Sequence, residues 1–410
     1  MSDPYFQPLF AERIGGADYG KNNEIYKFEK IKRAKRKAIE RFPDRELLDF
    51  GIGENDEMAA ANVRRVMAEE INRPENRGYA DNGIAEFKDA VVRFMAREFE
   101  VHLDPATEVN HCIGSKTALA MLPAVFINPG DVTLMTVPGY PVAGTHTRYY
   151  GGEVYPLPLL EENGFFPDLD AVPDDVRRRA KLLVINYPNS PTGKAATPQF
   201  FGKVIQFAKE NEIVVVQDAA HMMLTFGRKP LSFLQVPGAK DLGVEVHSLS
   251  KGWNMIGWRI GWVCGNSKIV RAFADVKDNC DSGQFIAIQK AAAAALGDSS
   301  IPEETRQKYF RRLNKLVDTL TECGFQCKPP EGSYFLYTKS PKGIEGGPVL
   351  ETAESASHYF ITEHSICTVP WDDAGAYLRF SVTYQAQNES DEDALMDELE
   401  RRLKETRLVF

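Results

Sequence analysis

The sequence predicts an α/β protein with a mostly parallel sheet covered on both faces, and a second, smaller α+β lobe. Three observations carry this. Short, nearly continuous apolar runs at 132–137, 182–186 and 213–217 alternate with helical patterns, as strands buried on both faces do. After Pro329-Pro330 the alternation gives way to short strands and helices of mixed order. Finally, 410 residues exceed what one core usually holds, so two lobes are expected.

Composition is that of a globular chain, with 43% hydrophobic residues. A net charge of −9 argues against a nucleic-acid or anionic-membrane surface. The basic run from Lys30 to Lys37 is interleaved with Ile31, Ala34 and Ala38, the pattern of a helix with one solvated face. The six cysteines are scattered, and no histidine lies near Cys323 and Cys327, so neither a metal-ligand set nor a disulfide framework is indicated. No signal pattern opens the chain and no apolar run is long enough to span a bilayer. A cytoplasmic protein is expected.

In chain order, residues 1–20 are loop-like and 23–41 form an amphipathic helix stopped by Pro43. A short strand at 47–52 carries Gly51-Ile-Gly53-Glu54. Helices at 59–71 and 84–98 flank a polar loop that holds Tyr79. A strand at 108–113 runs into Gly114-Ser115-Lys116-Thr117, where a helix begins at once; such a helix N-terminus offers N–H groups to a phosphate. Strands follow at 132–137, 153–157, 182–186, 213–217, 244–248 and 260–263, with helices at 141–149 and 198–210. Residues 270–296 read as helical, as do 303–324. The smaller lobe follows, with strands at 334–337, 366–369 and 377–381 and helices at 352–363 and 391–406.

The candidate chemistry gathers at strand ends, where ligands of parallel sheets sit. Lys251 follows the strand that ends at Ser248. Burial there would lower its pKa and make it a nucleophilic amine. Arg259, eight positions on, can hold a phosphate bidentately. Asp218 is an acid at the end of an apolar strand and suggests a cationic partner. Asn186-Tyr-Pro-Asn189-Ser-Pro-Thr-Gly193, Tyr140 in Pro-Gly-Tyr-Pro and Arg379 in Tyr-Leu-Arg-Phe-Ser complete the set. Singly, the last four features are better explained by a capped strand end, a turn, a core tyrosine and a surface arginine.

In this order and spacing the elements resemble the class I/II pyridoxal-phosphate (PLP) aminotransferases of fold type I, from about Leu48 to Arg379. The resemblance implies a large PLP-binding domain (51–297) with a mostly parallel seven-stranded sheet, a small α+β domain (298–410) and an N-terminal segment (1–50) joining the small lobe. It implies Lys251 as the catalytic Schiff-base lysine that also moves the proton, and Asp218 as the partner of the pyridine nitrogen. Tyr140 would stack on the ring. Ser115, Lys116, Ser248 and Arg259 would bind the phosphate, joined by Tyr79 from a neighbouring subunit in a homodimer with shared sites. Arg379, with Gly53, would hold the substrate carboxylate. Two positions depart from the family pattern. Ser190, preceded by Asn189, stands where the family has the asparagine that reaches the cofactor's phenolic oxygen. His221 stands where it has tyrosine. Either Asn189 turns inward or Ser190 substitutes.

Within that family the chain resembles the LL-diaminopimelate aminotransferases. Glu12-Arg-Ile-Gly-Gly16, the stretch Glu24 to Lys35, Gly51-Ile-Gly-Glu54, Glu162 to Asp168 and Pro237-Gly-Ala239 carry this. The implied reaction transfers an amino group from LL-diaminopimelate to 2-oxoglutarate in lysine biosynthesis. The donor's distal ammonium would need Glu54 or Glu75, and its distal carboxylate Tyr19 or Lys21. The alternatives are an aspartate, alanine or aromatic aminotransferase, a PLP β-lyase, and a PLP-sensing regulatory domain, for which too few residues precede the large lobe.

Overall fold

The structure, a computed structural model, describes residues 5–21 and 27–410. Residues 23–26 of the expected first helix lie outside the described residues; the described helix is Lys27–Arg41.

Seven strands form the large sheet in the order Val109–Cys112, Gly261–Gly265, Gly243–Ser248, Val214–Asp218, Ala180–Asn186, Val132–Val137, Glu153–Pro158. All neighbours are parallel except the two pairings of Gly261–Gly265, which is antiparallel to both strands beside it. The unbroken apolar runs follow from burial on both faces. Leu183 and Ile185 enter one core with Phe94, Phe201 and Trp262, while Leu182 and Val184 enter the opposite one with Leu119, Val246 and Phe273.

In the smaller lobe, Val369–Trp371, Tyr377–Ser381 and Phe335–Lys339 form a three-stranded antiparallel sheet. It shares a core with helices Ser300–Glu322, Ala353–His364 and Glu389–Leu403 through Leu313, Leu316, Leu336, Phe360, Phe380 and Leu399. Helix Lys27–Arg41 lays Ile31, Ala34 and Ala38 against Ile361 and Val369, with its basic face outward. The strand expected at 47–52 is only Leu48–Asp49, and it pairs in parallel with Ile366–Cys367.

The helical pattern at 270–296 is two helices, Ser267–Lys277 and Ile286–Gly297. Between them Gly283 takes a φ of +81°, and a Cβ there would strike the backbone of Ala80, with which it forms a bridge. A long-range backbone contact breaks the helix, which local periodicity does not register.

The turn after Leu48–Asp49 is anchored by charge. Asp56 pairs with Arg312 and Lys308 at 3.0 Å each and accepts from the Tyr309 hydroxyl at 2.9 Å. Arg312 also pairs with Glu392 at 2.7 Å and donates to the carbonyls of Val382 and Tyr384. Each of these buried charges is thus paired and hydrogen-bonded, without which burial would cost several kcal/mol.

Candidate active site

Six strands of the large sheet run in one direction, and their carboxyl ends share an edge. The reversed strand brings its opposite end to that edge, so Arg259 arrives there just before Gly261. A cavity of about 310 Å³ lies at this edge, against Phe335 and Arg379 of the smaller lobe.

Lys251 follows the strand that ends at Ser248. Its Nζ donates to the carbonyl of Gly53 at 3.0 Å and to the Tyr334 hydroxyl at 2.5 Å. Burial first, then the nearby Arg379 and Arg259, lower its pKa from 10.5 to about 8. Asn55 Nδ2 donates to its backbone carbonyl at 2.8 Å. Both the backbone and the tip of the lysine are therefore held by the turn that contains Gly53.

Asp218 ends strand Val214–Asp218 and is 5% exposed. Its Oδ1 accepts from the Ala220 N–H at 3.0 Å, yet burial raises its pKa from 3.8 to about 6. A carboxylate in this state gains most from a cation brought to it. Beside it, His221 is buried, held neutral by burial and by Lys251 and Arg379, and its Nδ1 pairs with Ser333 Oγ at 3.2 Å.

Across the cavity, helix Ser115–Phe126 presents its N-terminus through Ser115 and Lys116, with no acidic residue in the first turn. Gly114 has a φ of +73°, and a Cβ there would collide with the Arg259 guanidinium. Arg259 donates to the Ile256 carbonyl at 2.8 Å and to Ser250 Oγ at 3.4 Å, which aims the fork at this helix. Free N–H groups, a helix dipole and a guanidinium together form an anion site.

Arg379 lies 4.0 Å over the Phe335 ring and donates to the Gly51 carbonyl at 3.2 Å. Its Nε is buried and makes no hydrogen bond. Burial lowers its pKa to about 10, so it stays charged at neutral pH. An unmet buried donor of this kind costs about 1–3 kcal/mol, which a bound carboxylate would offset.

Tyr140, Ser248 and Gly53 also line the cavity. Two sequence candidates do not. Asn189 folds back, its Oδ1 accepting from the Thr192 N–H and hydroxyl at 3.0 and 2.8 Å while Nδ2 is buried without a partner. Asn186 and Ser190 line the cavity instead, linked by a 2.8 Å bond from the Ser190 N–H to Asn186 Oδ1. Tyr79 is 85% exposed and outside the cavity. Of the distal-group candidates Glu54 lies at the cavity. Glu75 is 3.8 Å from Arg73, Tyr19 packs on Phe10 and Lys21 is 3.8 Å from Asp18. Sequence reasoning missed Tyr334 and Ser250, and quoted Asn186 only as the start of a candidate stretch. The serine was legible in Ser-Leu-Ser-Lys; the tyrosine had no local signal.

A second buried cluster, Glu245, His247 and Cys264, has metal-ligating atoms within 4.8 Å of one another. It is a closed network: Glu245 accepts from Ser232 Oγ at 2.8 Å, from the Phe233 N–H and from His247, and burial holds the Cys264 thiol protonated.

A family model, aminotransferase class I and II, matches residues 45–395. The chain belongs to this family. As an aminotransferase it is similar over its full length to two LL-diaminopimelate aminotransferases, from Methanocaldococcus jannaschii (55% identity) and Methanococcus maripaludis (53%), and covers 100% of each. Its fold matches apo BacF from Bacillus subtilis, with a TM-score of 0.85 and 29% identity over 96% of this aminotransferase and 98% of that chain. The α/β architecture with a large, mostly parallel sheet is that of fold type I aminotransferases.

Proposed function

We propose that this transaminase uses PLP to move the amino group of LL-diaminopimelate to 2-oxoglutarate, a step of lysine biosynthesis that yields tetrahydrodipicolinate. The observation that carries the cofactor reading is the meeting, in one cavity, of a lysine of lowered pKa, a buried aspartate of raised pKa and an anion-binding helix end. The substrate reading is supported by the full-length similarity to LL-diaminopimelate aminotransferases.

The residues present fit PLP. Gly114, Ser115, Ser250 and Arg259 form a cradle for its phosphate, with Lys116 and Ser248 beside them; Asp218 suits its ring nitrogen, and Lys251 its aldehyde. When bound, PLP supplies an electron sink for the carbanion left when an amino acid loses its α-proton. Each side chain has a task of its own. Arg379 holds the α-carboxylate through its open Nε edge. Lys251, neutral above about pH 8, takes the α-proton and delivers it to the other side of the reacting bond. Asp218 would keep a proton on the ring nitrogen. Tyr140 would cover the ring, and the neutral His221, with Ser190, would serve the phenolic oxygen. Glu54 meets the distal ammonium of the donor.

The chain acts as a homodimer in the cytoplasm, with Tyr79 of one subunit completing the phosphate site of the other; its 85% exposure supports this. Residues 51–297 form the PLP domain and 298–410 the small domain, joined by 1–50. No described helix is long and apolar enough to cross a membrane.

The test is spectral. Purified yellow protein is mixed with LL-diaminopimelate and, separately, with aspartate, alanine, tyrosine and cystathionine. Loss of the visible band with LL-diaminopimelate alone, restored by 2-oxoglutarate, is the expected result. A response to another amino acid and none to LL-diaminopimelate overturns the substrate.

A further inference from the structure

Tyr334 reaches Lys251 from the smaller lobe and is fully buried. It follows Ser333, whose φ of +71° turns the chain just before strand Phe335–Lys339. Its hydroxyl is 2.7 Å from the Gly53 carbonyl oxygen and 2.5 Å from Lys251 Nζ, which is itself 3.0 Å from that oxygen. The three atoms close a triangle. The carbonyl only accepts, so the phenol donates to it and turns a lone pair to the amine. An ammonium at this point finds two acceptors at once.

The ring has little freedom. Tyr309 packs edge-on at 5.3 Å and His221 at 5.4 Å, and Ser333 bonds His221 from the adjacent position.

We propose that Tyr334 is the positioning residue of the reactive amine: its hydroxyl and the Gly53 carbonyl form the seat in which Lys251 Nζ holds its proton between taking it up and giving it back. This rests on the reading of Lys251 as the cofactor-bearing and proton-carrying lysine. The seat works against the local field. Arg379 and Arg259 disfavour an ammonium here, Glu54 and Asp218 favour it, His221 is neutral and Lys116 lines the same cavity. Two acceptors aimed at Nζ let a proton reside there despite the two guanidinium groups. Burial holds the phenol far above its ordinary pKa, so it is a fixed dipole and not itself the acid.

The test compares wild type, Tyr334→Phe and Lys251→Ala. Protein stripped of cofactor is acylated across a pH series, and labelling of Lys251 is read by peptide mass spectrometry. Removing the acceptor should lower the labelling midpoint by about one pH unit. In reconstituted Tyr334→Phe, kcat should fall roughly tenfold or more with KM for LL-diaminopimelate little changed. An unchanged midpoint in folded Tyr334→Phe overturns the proposal, as does an unchanged kcat. Lys251→Ala separates the two readings. If it keeps the visible band, the lysine assignment fails, and the seat's role in catalysis with it. If it loses the band while Tyr334→Phe behaves as wild type, only the seat fails. Should Tyr334→Phe not fold, 3-fluorotyrosine placed at 334 keeps the shape and weakens the acceptor; the midpoint should again fall, and no change overturns the proposal.

Discussion

The guanidinium of Arg259 occupies the space that any side chain on Gly114 would need. Gly114 also sits at a φ of +73°, so it is constrained twice, by conformation and by its neighbour. Gly114→Ala should push the fork away from the N-terminus of helix Ser115–Phe126. The expected result is weaker binding of PLP with binding of pyridoxal, which lacks the phosphate, unchanged. Equal losses for both in a cofactor titration would remove the phosphate from this corner.

Lys251→Ala should abolish the visible band and slow amino transfer by at least the ~10²–10⁴-fold that a positioned proton carrier supplies. Absorbance and single-turnover assays check this together. Turnover at the wild-type rate would remove Lys251 from the chemistry.

Asp218→Asn should stabilise the cofactor-free protein at neutral pH. The sign follows from the raised pKa. As pH rises from 3.8 to about 6 the unfolded chain loses this proton before the folded one, so the folded state loses stability and keeps the deficit above pH 6. Up to about 3 kcal/mol is regained by the amide. Thermal melts above pH 7 should show a higher Tm than wild type, and melts below pH 4 no difference. With PLP present the order should reverse, because the carboxylate is then paired.

Arg379→Ala should raise KM for amino-acid donors roughly a hundredfold, about the 3 kcal/mol of a lost charge-assisted pair. It should also raise the pKa of Lys251, since the guanidinium is second only to burial among the causes that lower it. A titration that leaves the amine at about pH 8 would contradict the electrostatic account of this site.

Glu54→Gln should weaken the hold on the donor's far end. The side chain is exposed at the cavity rim, so solvent limits the effect to about 1 kcal/mol, roughly fivefold in kcat/KM. The loss should appear with LL-diaminopimelate and be absent with glutamate, which has no second ammonium.

What was legible in the sequence was what local chemistry determines. Strands buried on both faces leave unbroken apolar runs, so Ala180–Asn186 and Val214–Asp218 are visible, as is the acid that ends the second. Pro198–Glu210 is bounded as expected because Thr197 caps it and Pro198 suits its first turn. The break at Gly283 is decided by Ala80, far away in the chain. Tyr334 was read only as the start of a strand, since its partners Lys251 and Gly53 lie 83 and 281 positions away. Whether Asn189 or Ser190 faces the cavity depends on how one tight turn closes, and both orders of the pair read alike.

The ionic anchor under the Gly53 turn separates architecture from chemistry on the pH scale. Burial would raise the Glu392 carboxyl, but hydrogen bonds from Arg311 and Arg312 outweigh it and hold the pKa at about 2; Lys308 and Arg312 likewise outweigh burial at Asp56 and lower its pKa. Their stabilising charge is complete above the ordinary carboxylate range and is lost as pH falls below it, for Glu392 toward about 2. Asp218 and Lys251 change charge at about 6 and about 8 in the cofactor-free protein. Protons can therefore enter and leave the working groups over the whole neutral range while the wall that seats the amine stays clamped.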